Sequence, residues 1–336
     1  MSLPADVFAA LTPIPYLLAH LAPSEGGSLR ANGRRPSQVR RPNVNTSSLT
    51  HCNGSAVVRI GDTAVVCGVR GEILRTKDIP NPPKVNLSDD EIMDDDQTQE
   101  DDDTEELSSL HVLVPNIELA TGCSPAHVPG NPPLALAQSL SQRVLSLLLS
   151  TKLVRASDLR ILYRPSKQEN DDAPDVTPPL EIAAYWTLYM DILFLSLDGN
   201  AFDAAWCAVL AALGDTKLPK AWWDADVESV LCSDQAQDAR KLRLRGFPVP
   251  ATSSIFEPGR TKGVKEERHW ILADPDAMEQ ELCDETVTIV VDQSSGQTVV
   301  KRIEKAGGVV VGADLLRDCV KTASNRWVEW DDILRD

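Results

Sequence analysis

The 336-residue sequence predicts an α+β protein with two similar halves, and three observations support this fold class. Short β-branched segments bounded by turn residues predict strands in both halves. Each half also contains an apolar helical segment that needs a sheet to pack against. The composition, 42% hydrophobic and 25% charged, is that of a globular chain with a sizeable core. We therefore expect one domain over residues 1–336, with halves at 27–165 and 175–336 that repeat a layered arrangement of strands and helices.

The clearest local signal in the first half is a β-hairpin. In "GSAVVRIGDTAVVCGVRGEIL" (54–74), two β-branched runs flank Gly61-Asp62, where glycine supplies the positive φ of a tight turn. Residues 3–21 predict a helix interrupted by two prolines. The other elements predicted for this half are a strand at 111–119, a core-facing helix at 132–150 and a strand at 158–164.

A run of acidic residues interrupts the first half. Residues 89–106 contain twelve acids and no base, and subtracting them from the net charge of −17 leaves −5 on the rest of the chain. Apolar area here is too small to offset a backbone entropy of roughly 1–2 kcal/mol per residue. We therefore expect 80–107 to be a disordered insertion. Such a run either binds basic partners or is simply a solvated loop that aids solubility.

The second half is organised around a long strand predicted at 181–197. Both of its faces are largely apolar, which predicts a central strand buried on two sides. A linker rich in proline and acids precedes it. Further strands are predicted near 242–248, 268–273, 286–292 and 297–303, and a final helix is predicted at 313–331.

An almost entirely apolar helix follows that strand. Asp198 and the next glycine form the turn, and the helix is expected to start with Asn200 as N-cap and Asp203 completing a capping box. Gly214 is expected to follow its last residue. A catalytic or metal-binding role for either aspartate is the alternative, but a turn and a cap account for every residue. We interpret this segment as architecture.

The cysteines and the apolar segments bear on the compartment. Seven cysteines occur without paired spacing, which predicts reduced thiols. The N-terminal segment has no basic lead-in typical of a secretory signal. The longest apolar stretch is shorter than the roughly 20 residues that a membrane span needs. We expect a soluble intracellular protein without membrane contact.

Four segments resemble one known family. They are "NGRRPSQVRRPNVNTSSLTHCNGSAVVRIGDTAVVCGV" (32–69), "MDILFLSLDGNAFDAAWCAVLAAL" (190–213), "ILADPDAMEQELCDETVTIVVD" (271–292) and "GGVVVGADLLRDCVKTASNRW" (307–327). Together they resemble the RNase PH-like ring subunits of the eukaryotic RNA exosome, and among these the ribosomal RNA-processing protein 43 type. One departure is Asn32, where relatives usually carry aspartate.

The resemblance implies a fold, partners and a cellular role. The fold is the RNase PH-like one, with duplicated βα layers of the ribosomal protein S5 domain 2-like kind. The implied partners are other RNase PH-like subunits in a six-membered ring, exosome cap proteins, and RNA in the channel of the ring. The implied role is 3′-to-5′ RNA processing and degradation, including rRNA maturation, in nucleus, nucleolus and cytoplasm.

Active relatives cleave RNA by phosphorolysis, which requires cations or backbone donors around inorganic phosphate and an acidic group. The family places arginines around the first-half helix, where this chain has only Arg143. Thr286 stands where active members carry an aspartate, which leaves Asp284 and Glu285 as the remaining acids. We therefore expect a non-catalytic subunit with no catalytic residue and no cofactor. The alternative is a phosphorolytic exoribonuclease active within a heterodimer, with arginines borrowed from its partner.

The best candidates for RNA contact form a basic cluster of four arginines within eight residues: Arg34, Arg35, Arg40 and Arg41. Each guanidinium that contacts a phosphate would add to a salt-sensitive affinity. Pairing with acids inside the fold or at subunit contacts is an equally good explanation.

Two further patterns are weak. Cys123 and His127 form only one pair of possible metal ligands, so no zinc site is expected. The glycines at 307, 308 and 312 precede a helix but lack the spacing and the lysine of a phosphate-binding loop, so a tight turn is the better interpretation.

Overall fold

The computed structural model describes residues 4–22, 27–83, 100–124, 135–165, 179–257, 269–307 and 312–335. The helices are α1 (Ala5–Leu11), α2 (Pro13–Leu21), α3 (Glu100–Leu110), α4 (Ala135–Ser150), α5 (Ala156–Leu159), α6 (Ala201–Asp215), α7 (Ala277–Leu282) and α8 (Ala313–Arg335). The strands are β1 (Pro42–Thr46), β2 (Gly54–Ile60), β3 (Thr63–Arg75), β4 (Leu113–Leu119), β5 (Arg160–Tyr163), β6 (Glu181–Ser196), β7 (Lys217–Leu218), β8 (Ala221–Asp224), β9 (Ser229–Cys232), β10 (Arg240–Lys241), β11 (Val249–Phe256), β12 (Trp270–Ala273), β13 (Glu285–Asp292) and β14 (Val299–Ala306).

The first large sheet has the order β1-β2-β3-β6-β4, with β5 pairing to β6. The predicted hairpin is confirmed as β2–β3, and Gly61 has a φ of +60° in its turn. Strand β6 is central, as predicted, since it lies between antiparallel β3 and parallel β4. The prediction that both of its faces are buried is wrong, because Leu193 is 36% and Leu195 50% exposed.

Helix α6 lies between the two large sheets, against β2 and β3 on one side and β11 on the other. All residues from Ala201 to Leu213 are buried, as their apolar composition predicts. The helix continues through Gly214 to Asp215, which corrects the predicted end. The hydroxyl of Thr216 closes the last turn by donating to the Ala212 carbonyl at 2.8 Å.

The start of α6 differs from the expected capping box. Asn200 is the N-cap residue, but its backbone is left-handed (φ +48°) and its side chain makes no cap hydrogen bond. Its Nδ2 instead donates to Asp203 at 2.8 Å and to Asp274 at 2.7 Å. Asp203 is drawn into the core, where it binds Thr252 and Arg326. The carboxylate is therefore a tertiary link and does not cap the helix.

The second large sheet has the order β12-β11-β13-β14, and α8 packs along β11 and β13. The predictions near 268–273, 286–292 and 297–303 correspond to β12, β13 and β14. The strand predicted near 242–248 is wrong, since the long strand is β11, over Val249–Phe256. The polar residues Thr-Ser-Ser interrupt the apolar pattern of this strand, yet all of its residues are buried. The short hairpin β8–β9 was not predicted.

The acidic segment is partly folded. Residues 84–99 lie outside the described residues, but α3 begins at Glu100, so disorder is a wrong prediction for 100–107. Asp103 and Glu106 are buried and pair with Arg160, and Asp103 also pairs with Arg245 at 2.7 Å. These buried ion pairs hold α3 against the protein, although the segment has little apolar area to bury. The boundaries of the two halves remain predictions.

Two predictions about the rest of the chain, the interrupted first helix and the reduced cysteines, can be compared with the structure. The first helix is broken between α1 and α2, at Thr12, before the first of its two prolines. All seven cysteines are free thiols. In the described ranges, no helix is both apolar and long enough to cross a membrane.

Candidate functional site

A cavity of about 410 Å³ lies between α4 of the first half and the β13–β14 hairpin of the second. Its lining includes Arg143 from α4, the arginine expected near a phosphate site, and Thr286 from β13, the position at which an acid is expected in an active enzyme. The remaining lining residues are Thr288, Glu304, Lys305 and Ala306. The fold thus places Arg143 and Thr286, which are distant in the sequence, in one site.

The Arg143 side chain is held by neighbours within the fold. Its Nε and Nη2 donate to Oε2 of Glu304 at 3.0 and 2.7 Å, and Nη2 lies 3.4 Å from Oγ1 of Thr288. The guanidinium also lies 3.9 Å from the ring centre of Phe202. A phosphate would compete with Glu304 for this cation, because the carboxylate already engages the Nε and Nη2 edge of the guanidinium.

The other charged groups of the cavity are paired as well. Oε1 of Glu304 also lies 2.5 Å from Nη2 of Arg302, and Nζ of Lys305 lies 2.5 Å from Oε1 of Glu285. Glu285, one of the two acids considered for catalysis, is only 1% exposed. Asp284 is exposed immediately before β13. Each cation of the cavity lining therefore faces a carboxylate, which opposes the binding of an anion.

Glu304 and Lys305 were not singled out from the sequence. The signal that could have identified Glu304 is the alternation along β14, which places Arg302 and Glu304 on the same face. That face meets α4, where Ser146 accepts a hydrogen bond from Arg302 at 2.8 Å. The partner on α4 cannot be read from the strand alone.

The turn between β6 and α6 is structural, as interpreted from the sequence. Oδ2 of Asp198 accepts a hydrogen bond from Nη1 of Arg40 at 3.2 Å, and Oδ1 accepts one from the backbone N–H of Ala277 at 3.3 Å. Gly199 has a φ of +68°, and a Cβ there would lie 2.4 Å from the carbonyl carbon of Asp276. Only glycine therefore allows the two chain segments to approach this closely.

The four arginines of the basic cluster separate into two pairs. Arg40 makes a forked contact with Asp274, with Nε 2.8 Å from Oδ2 and Nη2 2.9 Å from Oδ1. Nη1 of Arg34 donates to the Asp274 carbonyl oxygen at 3.0 Å. Arg35 and Arg41 are exposed. The fold therefore engages Arg34 and Arg40 and leaves Arg35 and Arg41 exposed, while RNA contact by any of the four stays a prediction.

Asp274 is the acid that organises this region. Its side chain is fully buried, and burial alone would oppose its ionisation. The hydrogen bonds from Arg40 and the positive charge of Arg326 outweigh burial and lower the pKa of Asp274 well below its ordinary value. The same hydrogen bonds, working against burial, raise the pKa of Arg40. The aspartate is therefore a buried anion with a structural role.

A further buried arginine was missed in the sequence. Arg30 is 1% exposed and pairs with Glu279 at 3.1 Å. Burial lowers the pKa of Arg30 to about 10, an effect that the charge of Glu279 only partly offsets. The nearby departure at Asn32 has a local explanation, since its Nδ2 donates to Asp276 at 2.8 Å. An aspartate at position 32 would place two carboxylates there.

Where the structure describes them, the weaker motifs give no further site. Gly307 has a φ of +115°, and a Cβ on it would lie 2.4 Å from the Asp284 carbonyl oxygen, which favours the tight-turn interpretation; residues 308–311 lie outside the described residues. His127 also lies outside them. Within the described part of the chain, no three histidine, cysteine or acidic residues come together as a group that could hold a metal ion.

Comparisons with known proteins agree on one family. Residues 38–219 match the model described as the 3′ exoribonuclease family, domain 1. The exosome complex component rrp43 of Schizosaccharomyces pombe is 30% identical over 327 residues, which cover 97% of each chain. The exosome complex component Rrp42 of Archaeoglobus fulgidus is 26% identical over 310 residues, 92% of this chain and 91% of the relative.

Two solved structures share the fold. A chain of the Archaeoglobus fulgidus exosome with RNA bound to the active site superposes with a TM-score of 0.64, at 22% identity and 98% coverage of both chains. A chain of an archaeal exosome core gives a TM-score of 0.62, also at 22% identity, and covers 99% of this chain and all of the other. At this level of identity the agreement concerns the fold.

Proposed function

The chain belongs to the 3′ exoribonuclease (RNase PH) family, as the resemblance predicted, and on that premise we propose that it is a non-catalytic subunit of an RNA exosome ring. In this role it supports 3′-to-5′ RNA processing and degradation, including rRNA maturation. Its proposed neighbours are other RNase PH-like subunits of a six-membered ring, exosome cap proteins and RNA. The proposed locations are the nucleus, the nucleolus and the cytoplasm.

The observation that carries the non-catalytic assignment is the ion pair between Arg143 and Glu304. A phosphorolytic enzyme must hold a phosphate ion next to the scissile bond, which needs uncompensated positive charge. In the cavity described above, the cations of α4 and β14 already face Glu304 and Glu285. The site therefore supports the proposal of a scaffold subunit, which has the fold of the enzyme family but, among the described residues, no uncompensated positive charge at this cavity to bind an anion.

A subunit role is supported by apolar side chains left in solvent on two strands. Leu193 and Leu195 are exposed on β6, and Val299, Val300 and Ile303 on β14. Among the described strands, β14 is also at the edge of the second sheet, and one row of its backbone groups has no strand partner there. Neighbouring subunits would cover such surfaces.

The test is a phosphorolysis assay on the complex reconstituted around this chain. Labelled RNA, phosphate and magnesium are supplied, and release of nucleoside diphosphates is compared for wild type, Asp284→Ala and Glu285→Gln. We expect equal rates in all three, because any activity belongs to other subunits. Loss of release in Asp284→Ala, with assembly intact by native mass spectrometry, would establish the alternative function, a phosphorolytic exoribonuclease.

A further inference from the structure

The β8–β9 hairpin presents a tryptophan to solvent just after the family match, which ends at residue 219. Trp222 is paired with Leu231 across the hairpin and is 40% exposed. Trp223, the next residue, lies on the opposite face, where its ring packs against Tyr163 with 5.6 Å between centroids. One face of the hairpin therefore packs on the protein, while on the other face Trp222 is exposed with respect to the described residues.

The tip of this hairpin is ordered and negatively charged. Oδ1 of Asp224 accepts the backbone N–H groups of Asp226 and Val227 at 2.9 and 3.1 Å. This turn holds Val227 in solvent, 62% exposed, between Asp226 and Glu228. The stretch 220–234 contains four acids and a single base, Lys220. The hairpin thus combines exposed apolar groups with a local excess of negative charge.

We propose that this hairpin is a docking site for a protein partner that presents basic side chains next to an apolar one. Tryptophan is enriched among the residues that dominate interface energies, and its ring face attracts Lys and Arg cations. The acids at the tip complement such a partner and steer its approach.

RNA is the competing ligand, because bases also stack on exposed tryptophan. Asp224, Asp226 and Glu228 would repel its phosphates, which normally require Lys or Arg at the contact. The charge of the hairpin therefore favours protein over nucleic acid. This inference is independent of the exosome assignment.

Photo-cross-linking in cells identifies the occupant. The full-length chain carries p-benzoylphenylalanine in place of Val227, and a matched protein carries it in place of Val328, which is 49% exposed on α8. We expect position 227 alone to cross-link a protein segment that contains Lys or Arg. Cross-links mainly to RNA, to a second copy of this chain or to nothing would overturn the proposal.

The affinity of the cross-linked protein, purified, then tests the contact. Trp222→Ala and the double variant Asp226→Lys/Glu228→Lys are each expected to weaken binding roughly 10- to 30-fold, the loss typical of interface hot spots. The control Val328→Ala/Glu329→Lys changes a similarly exposed apolar–acidic pair and should bind like wild type. If both hairpin variants retain wild-type affinity, the hairpin is not the docking site.

Discussion

Arg326 of α8 donates from Nη1 to Oδ2 of Asp203 of α6 at 2.6 Å, and both side chains are essentially excluded from solvent. The same carboxylate oxygen accepts the backbone N–H of Thr252 at 2.9 Å, which adds β11 to the link. The last helix, the central helix and the second sheet are thus joined at one buried charge. A carboxylate in this position is stable only while its partners are present.

Removing Arg326 should therefore destabilise the whole fold. We expect Arg326→Ala to lower the free energy of unfolding by about 3–5 kcal/mol, because Asp203 is left buried without its cation. Urea denaturation followed by circular dichroism measures this loss. The control is Arg317→Ala, which breaks a solvent-exposed pair with Asp314 and should change stability little. Equal losses in the two variants would show that the buried pair has no special role.

Removing the carboxylate of Glu304 should give the cavity an affinity for phosphate. In Glu304→Gln, Arg143 loses its anionic partner and becomes available to an oxyanion. We expect inorganic phosphate to stabilise this variant by about 1.4 kcal/mol when its concentration is about ten times the dissociation constant. The stability of the wild type should not change with phosphate. Thermal unfolding at increasing phosphate concentration reads this out. Glu329→Gln, an exposed change on α8, is the charge-matched control, and a shift there as large as in Glu304→Gln would contradict the prediction.

Asp274 should make stability depend on pH in the acid range. Its folded-state pKa is lowered below the ordinary value of 3.8, so its contribution is present above about pH 4 and is lost as pH falls toward the folded-state pKa. We expect Asp274→Asn to be less stable than wild type by about 3 kcal/mol or more at pH 7, since Arg40 loses its buried anion. The difference should shrink below pH 4. A difference that is constant from pH 7 to pH 2.5 in urea unfolding would refute it.

Arg35 and Arg41 should account for the RNA contact of the basic cluster. If each meets one phosphate, Arg35→Ala/Arg41→Ala should weaken binding of single-stranded RNA and reduce the salt slope by about 1.4, or 0.7 per contact. Fluorescence anisotropy across salt concentrations, with the assembled complex, measures both. Arg317→Ala controls for loss of an exposed charge. An unchanged salt slope would show that these two arginines do not contact RNA phosphates.

Local patterns predicted most of the secondary structure. The β2–β3 hairpin follows from two β-branched runs around Gly61, and α6 follows from a helix-length segment with almost no polar side chain. Strand β11 was not predicted, because Thr252, Ser253 and Ser254 interrupt its apolar residues. Inside the protein their burial is tolerated in part because Thr252 hydrogen-bonds Asp203 and Thr288. A polar strand of this kind cannot be predicted without knowing its partners.

For the charged residues too, some properties could be predicted from the sequence and others required the folded structure. The sequence was enough to predict an RNase PH-like framework, a single arginine, Arg143, on its helix and a cluster of four arginines after residue 33. The folded chain was needed to show that Glu304 neutralises Arg143, that Asp274 engages Arg34 and Arg40, and that Asp103 and Glu106 fold the end of the acidic run. The difference lies in the sequence distance over which each property is set. Strand and helix periodicity depends on residues a few positions apart, whereas the fate of a charge depends on which distant carboxylate or guanidinium the folded chain places within about 3 Å of it.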